Sequence, residues 1–330
     1  MKLLITGASG FLGKFVVAAA LQRNHQIKAI VRPASDEKRV NWHNHPDVEL
    51  IRLDLRQPRG LTEALEGVDA VIHLIATKAG DFYTQFAGTV ICTENLLSAL
   101  VESDVSRLIA VSTFSVYDYL ALNQNDLLDE NAPIENHPLR RDEYAQTKLI
   151  QEELFRDFER EQAGKVTIIR PGMIYGQDNL WNAYLGAELG ENRWLRIGSD
   201  AVMPLTYVEN CAEAIVLAAE KDTAIGQTIN IVDDDLPTQL TYCDKLIQNK
   251  ASTAPNLSVS WPLMQAMAWS FWTFNQKVFG GKAKLPGILI PAKLHPRFKP
   301  LRFSNSRAKQ LLGWEPKYSL DMAISRSLSA

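Results

Sequence analysis

Cysteine, long apolar runs and net charge are all scarce in this chain, and each shortage excludes a class of protein. Three cysteines, Cys92, Cys211 and Cys243, are odd in number and lack metal-ligand spacing, which argues for reduced thiols and against a disulfide framework or a metal site. No histidine is paired with any of them as a nucleophilic couple would require. No run approaches the roughly 20 apolar residues of a membrane-spanning helix. A formal net charge of −3 argues against wholesale nucleic-acid binding. The chain starts directly with a strand and has no basic, apolar and small-residue sequence of a signal peptide, so a cytoplasmic location is expected. Internal repeats and low-complexity segments are absent too. One shortage is local: from Lys245 to Trp314 there is no Asp or Glu, against eleven Lys or Arg. The C-terminal part is therefore basic and the remainder acidic.

What is present begins at the third residue. Leu3, Leu4 and Ile5 form an apolar run without polar alternation, as in a strand buried on both faces of a parallel sheet. Thr6 to Gly13, TGASGFLG, follows at once, and Phe15–Leu21 reads as a helix. Strand, glycine turn and helix make a phosphate cradle. Gly7 permits the tight turn, Gly10 lets the backbone approach a pyrophosphate, and Gly13 lets helix and strand pack closely. The free N–H groups of the helix then face the anion. A second strand, Gln26–Val31, completes a βαβ unit.

Beyond it, strands are expected at Val48–Leu53, Ala70–Ile75, Arg107–Ser112 and Val166–Arg170, with helices at Leu61–Leu65, through Asn95–Leu100 and at Tyr144–Gln162. Six strands with helical crossovers predict an α/β fold, a doubly wound parallel sheet of Rossmann type. A chain of 330 residues is long for one domain, so a smaller, mainly helical substrate lobe is expected beside it. The dinucleotide-binding part would be 1–176 with about 203–234, including a helix at Asn210–Lys221 and a strand at Thr228–Val232. The substrate lobe would be about 177–202 and 235–330.

The end of the second strand bears on cofactor choice. NAD-binding folds usually place an acid there for the adenosine ribose. Here Arg32 follows Val31, and a guanidinium can pair with a 2′-phosphate in a forked geometry. NADP(H) is therefore favoured, with NAD(H) as the alternative should Arg32 be a solvated loop residue. Further along, Tyr144-Ala-Gln-Thr-Lys148 puts a phenol and an ammonium on one helix face. The cation would lower the tyrosine pKa, so that Tyr144 exchanges a proton at a carbinol oxygen. The fifth strand ends Val111-Ser112-Thr113-Phe114-Ser115, placing hydroxyls where such sheets bind ligands.

Together these residues resemble the extended short-chain dehydrogenase/reductase family, also called the NAD-dependent epimerase/dehydratase family. TGASGFLG is similar to its glycine motif, Asp54-Leu55 to its adenine-side pair, and VIHLIA to the strand beside the cofactor. VSTFSVY is similar to its hydroxyl-bearing strand, YAQTK to its Tyr-Lys helix, and RPGMIYG to the segment beside nicotinamide. LTYVENCAEAI and LGWEPKYSL resemble a later helix entry and the tail. The resemblance implies a catalytic set of Thr113, Tyr144 and Lys148. Thr113 would bond the substrate oxygen, Tyr144 would be the acid/base, and Lys148 would hold the ribose and depress the tyrosine pKa, with Ser112 and Ser115 as neighbours. It implies cofactor contacts from Thr6, Gly7, Ser9, Gly10, Phe11, Leu12, Gly13, Arg32, Asp54, Leu55, Leu74, Ile75, Ala76, Tyr144, Lys148, Pro171, Gly172, Met173 and Ile174, and a homodimer through the helices carrying Asn95 and Tyr144. No metal site is expected.

Departures from the pattern narrow the activity. Dehydratases of the family carry an acidic pair after the Ser/Thr, where this chain has Phe114 and Ser115. Epimerases commonly have Arg-Asp where it reads Met203-Pro204-Leu205, closer to the steroid-dehydrogenase-like and flavonol-reductase-like branches. Thr89 and Cys92 stand where Asn and Gly are frequent. The expectation is an NAD(P)-dependent dehydrogenase or reductase acting on a secondary alcohol or ketone of a bulky, apolar substrate with room for an anionic group. A nucleotide-sugar epimerase with tightly held NAD and a non-catalytic NADP(H)-binding sensor are the alternatives. In the basic lobe, Met264, Met267, Ala268, Phe271, Trp272, Val278 and Phe279 recur at helical spacing between Pro262 and Gly280-Gly281, widened by Trp269 and Phe274. That stripe reads as a core helix, a lid over an apolar substrate, or a contact with an anionic membrane surface. Lys293, His295, Arg297, Lys299 and Arg302 would be a solvated basic face or a grip on a substrate diphosphate or carboxylate.

Overall fold

A computed structural model of the protein describes residues 1–35, 40–162, 164–190, 193–255 and 257–329. Its centre is a parallel sheet of seven strands: β1 (Lys2–Thr6), β2 (Gln26–Val31), β3 (Val48–Arg52), β4 (Ala70–His73), β5 (Arg107–Val111), β6 (Lys165–Pro171) and β7 (Thr228–Ile231). They lie in the order β7-β6-β5-β4-β1-β2-β3. Six strands were expected before residue 177. The seventh is the later strand, which returns to pair with β6 from Thr228 opposite Ile168.

The sheet is covered on both faces, as its unbroken apolar strands require. Leu3 and Ile5 of β1 point to one face, where α1 (Phe11–Gln22) and α4 (Val208–Glu220) bring Val16, Val17, Ala212 and Ile215 into a single core. Leu4 points to the other, towards Leu96 and Leu100 of α2 (Cys92–Val101) and Phe155 of α3 (Glu143–Gln162). Period-two alternation along a strand produces this division.

Two local irregularities shape the later site. Strand β4 ends at His73, two residues before the expected boundary, as the Leu74 N–H turns to the Thr6 hydroxyl at 3.3 Å. The helix leading into α2 contains a π-type turn at Ala87–Ile91. It lies against the chain after β4: the Thr77 N–H donates to Thr89 Oγ1 at 3.0 Å, and a Cβ on Gly88 would sit 2.1 Å from Thr77 Oγ1. Such turns often mark functional positions.

The second half adds helices and a small three-stranded sheet, Gly186–Gly190, Arg193–Ile197 and Leu257–Val259, which the sequence reading did not anticipate. Next come α5 (Trp261–Phe279) and α6 (Pro291–Phe298), which share a core of Trp261, Met264, Ala268, Leu294 and Phe298. The expected apolar stripe does form a helix, but only part of it is core. Met264 and Ala268 are buried, whereas Met267, Trp269, Phe271, Phe274, Val278 and Phe279 are exposed.

The contact between α1 and the glycine turn tolerates no side chain. A Cβ on Gly13 would lie 2.1 Å from the Gly7 carbonyl oxygen and 2.8 Å from the Ala8 carbonyl, and these are backbone atoms that cannot swing aside. Gly13→Ala is expected to cost about 1–3 kcal/mol through this overpacking and to weaken nucleotide binding. Gly287→Ala, with open space around the new methyl, leaves both unchanged. Thermal melts with and without NADPH check the pair.

Candidate active site

The parallel topology brings the sequence-predicted residues to one edge, the carboxyl ends of the strands. Thr6, Gly7, Ser9, Gly10, Phe11, Leu12 and Gly13 join β1 to α1, and Arg32 follows β2. Asp54 and Leu55 follow β3, Leu74, Ile75 and Ala76 follow β4, and Thr113 follows β5. Tyr144 and Lys148 occupy the first turns of α3. Pro171 ends β6, and Gly172 leads into a short strand with Met173 and Ile174. Strand order reverses between β1 and β4, the place where such sheets hold ligands.

The glycine turn fits a dinucleotide pyrophosphate. Gly7 has φ +69°, and a Cβ on it would press against Ile75 at 3.3 Å. Gly10 is the N-cap of α1 and places no side chain over the first N–H groups of the helix. The concavity therefore offers backbone donors at the positive end of a helix, the setting that favours a phosphate. Towards the adenosine end, the Ser9 and Ser35 hydroxyls lie 3.4 Å apart and the Ser35 N–H donates to the Arg32 carbonyl at 2.9 Å. The Arg32 side chain is exposed. Asp54 is gripped by Arg56, whose Nε lies 2.9 Å from Oδ1, and this bond holds the carboxyl below its ordinary range, with Arg32 adding a smaller pull.

At the reacting end, the Thr113 hydroxyl lies beside the Tyr144 phenol, donates to Ser115 Oγ at 3.4 Å and accepts from the Ser115 N–H at 3.2 Å. Burial pushes the phenol up to about 12, a push that the neighbouring Thr113 hydroxyl only partly opposes. This corrects the expectation that Lys148 lowers it. The Lys148 ammonium donates to the Val111 carbonyl at 2.7 Å and to Gln151 Oε1. The cation that faces the Tyr144 ring is Lys78, 5.5 Å from its centroid. Desolvation brings the Lys148 ammonium itself down to about 7.

Lys148 ends a buried hydrogen-bond chain that reaches back to the glycine turn. Gln151 donates to Thr93 Oγ1 at 2.8 Å, and Thr93 donates to the Thr89 carbonyl at 2.7 Å. With its hydrogen so used, the Thr93 oxygen accepts from His73 Nε2 at 3.0 Å, and His73 Nδ1 then accepts from the Thr6 hydroxyl at 2.8 Å. Burial pushes the His73 imidazole down to about 3, so it is neutral and this tautomer serves the chain. Gln151, Thr93 and Thr6 have no exposed surface. Of these links, Gln151 escaped the sequence reading, although it stands three residues past Lys148 on the same helix face.

Comparison with known proteins decides the lineage. The model of the NAD dependent epimerase/dehydratase family matches residues 3–232. The chain belongs to that family. It is 24% identical to a 3-beta-hydroxysteroid dehydrogenase of Mycolicibacterium neoaurum over 99% of this chain and 90% of that one. It is 31% identical to a 2-alkyl-3-oxoalkanoate reductase of Stenotrophomonas maltophilia over 67% of this chain and 66% of that one. Among solved structures, UDP-glucuronic acid 4-epimerase from Bacillus cereus in complex with NAD superposes with a TM-score of 0.74 at 20% identity, covering 100% and 99% of the two chains. The similarity to that structure is one of fold. This epimerase/dehydratase-family chain is thus an NAD(P)-dependent oxidoreductase. Among its described residues no helix is long and apolar enough to cross a membrane, and no cluster of His, Cys, Asp and Glu could hold a metal ion.

Behind the candidate site of this family member lies a buried ion pair. Glu152, one turn beyond Lys148 on α3, accepts from the Ser112 hydroxyl at 2.6 Å and from Arg170 Nε at 3.1 Å. Arg170 also stacks over the Tyr117 ring, 4.8 Å from its centroid, and the Tyr117 hydroxyl donates to Asn230 at 2.7 Å. Strands β5, β6 and β7 and helix α3 are joined through these groups. Burial opposes the Glu152 charge, but Arg170 and its other donors prevail and hold the carboxyl down to about 2. Its stabilising contribution is full above pH 4.5, its ordinary value, and is lost as pH falls towards 2. Glu152→Gln leaves Arg170 buried and unpaired, and is expected to cost about 3–5 kcal/mol. Urea melts of both proteins from neutral pH down to about 3 check this, the difference narrowing below pH 4.5 as the carboxyl of the unfolded wild-type chain takes up its proton while the folded one stays charged.

Proposed function

We propose that the protein is an NADP(H)-dependent dehydrogenase or reductase that interconverts a secondary alcohol and a ketone on a bulky, apolar substrate. The observation that carries this reading is the placement of Thr113 at the end of β5 beside the Tyr144 phenol, with Lys148 one turn further along α3. Two neighbouring hydroxyls, each able to reorient its proton, can meet one substrate oxygen. A phenol held at about 12 keeps its proton throughout the neutral range, so Tyr144 begins reduction as a full proton donor. Thr113 bonds the same oxygen and stabilises charge that grows there only in the transition state.

The glycine turn and α1 would hold the cofactor's pyrophosphate, and Arg32 its 2′-phosphate. Asp54 and Leu55 would lie at the adenine, with Leu74, Ile75 and Ala76 along the dinucleotide and Pro171 to Ile174 at the nicotinamide. The nicotinamide, when bound, supplies or accepts the hydride. Lys148 spends two donors on Val111 and Gln151 and keeps a third for the ribose. Substrate choice falls to 177–202 and 235–330, and dinucleotide binding to 1–176 with 203–234. Two copies pair through α2 and α3, which leave Val101 and Ile150 exposed.

The named relatives support an apolar substrate with room for an anionic group. One is a 3-beta-hydroxysteroid dehydrogenase, another a sterol-4-alpha-carboxylate 3-dehydrogenase, and a third a 2-alkyl-3-oxoalkanoate reductase. NADPH consumption with 3-oxosteroids and 2-alkyl-3-oxoalkanoates is the assay. Tyr144→Phe is expected to lower kcat/KM roughly 10²–10⁴-fold while leaving NADPH affinity nearly unchanged. Unaltered turnover would refute the role given to Tyr144. Arg32→Ala is expected to weaken NADPH about tenfold more than NADH, measured by fluorescence titration.

A further inference from the structure

Helix α5 carries an apolar face that none of the described residues covers. Leu263, Met267, Phe271, Phe274 and Val278 follow at intervals of four, four, three and four, so they form one stripe along its 19 residues. Leu263 is 55% exposed, Phe274 56% and Val278 57%, fractions that rule out a core role for this side of the helix. Core contacts come from a neighbouring strip, Trp261, Met264, Ala268 and Asn275. Trp269, Thr273, Phe274 and Lys277 line a shallow surface groove on α5.

Charge distinguishes this face from an ordinary protein contact. No acid occurs from Lys245 to Trp314, whereas Lys277 lies in the last turn of α5 and Lys282 and Lys284 just beyond it, all three exposed. Elsewhere in that span Lys245 pairs with Asp321 and Lys309 with Asp234. Lys277, Lys282 and Lys284 form no ion pair among the described residues. An apolar stripe rimmed by unpaired ammonium groups complements a surface that is anionic outside and hydrocarbon beneath. At about 1.5 Å per residue the helix is some 28 Å long, and its lysines keep it at the headgroup level.

We propose that α5 is an in-plane membrane-docking element that seats the protein on an anionic phospholipid surface, with the Leu263–Val278 stripe entering the acyl boundary and Lys277, Lys282 and Lys284 meeting headgroup phosphates. The inference rests on the exposure and unpaired charge of α5 and its neighbouring lysines, and on none of the residues assigned to proton or hydride transfer. Co-sedimentation of the full chain with vesicles tests it. Phosphatidylcholine alone is compared with phosphatidylcholine containing about one-third phosphatidylglycerol, at low and high salt. Binding is expected only to the anionic vesicles, and should fall with salt. Phe271→Glu with Phe274→Glu should reduce it roughly tenfold, and so should Lys277→Glu with Lys282→Glu and Lys284→Glu. NADPH affinity and melting temperature report that each variant is folded. The two variants alter different physical terms, so either one, if folded, is decisive. No binding to anionic vesicles, equal binding to neutral ones, or binding that survives the substitutions would overturn the proposal. So would a wild-type dimer in size-exclusion chromatography that the phenylalanine substitutions dissolve, since a second copy would then cover the face.

Discussion

A buried ammonium is expensive, and the arrangement around the candidate active site is shaped by the need to keep one. Lys148 has 2% of its surface exposed, and desolvation, opposed by Glu152 and reinforced by Lys78, carries its pKa down to about 7. Its hydrogen bonds are therefore not incidental. The Val111 carbonyl fixes it to the end of β5, and Gln151 fixes it to the chain through Thr93 and His73 to Thr6. The same residue that begins the glycine turn thus helps to orient the lysine of the catalytic helix. Neutral His73 suits this place: a charged imidazole would set a second cation against Lys148, which already acts to lower the histidine pKa.

The tyrosine reaches its role by a different balance. Its phenol is raised, not lowered, since the nearby ammonium is committed elsewhere and burial prevails. Tyr144 is consequently a proton donor first, and Thr113 is the group that tempers it. Glu152 and Arg170 support the whole from behind. Their charges are also buried, but they are paired with each other, so α3 is clamped to β6 without lending a free carboxylate to the site.

Much of this was legible in the sequence, and physical reasons separate what was from what was not. The β1 strand, glycine turn and α1 could be read because close backbone approach leaves glycine as the only residue that fits at Gly13. The Tyr144–Lys148 spacing was legible because helix periodicity is local. The direction of the Tyr144 shift was not, since it depends on where a flexible ammonium turns and on burial supplied by distant segments. Gln151 lay on the right face, but its partner Thr93 is 58 positions away, a separation that no window can see. In α5 the apolar residues were visible while the division between its covered and uncovered strips was not. Composition reports how much apolar surface a helix has, whereas only packing decides which part is buried. The seventh strand was read as a strand, but its place beside β6 is a property of topology alone.

The central claim is an exchangeable NADP(H) serving an alcohol–ketone interconversion. The most direct measurement is to denature the purified protein, identify and quantify any released nucleotide by mass spectrometry, and titrate the native protein with NADPH and NADH. The account predicts little retained nucleotide and tighter binding of NADPH. Near-stoichiometric NAD released on denaturation would contradict it, because a cofactor held through every cycle belongs to an epimerase that regenerates it in place.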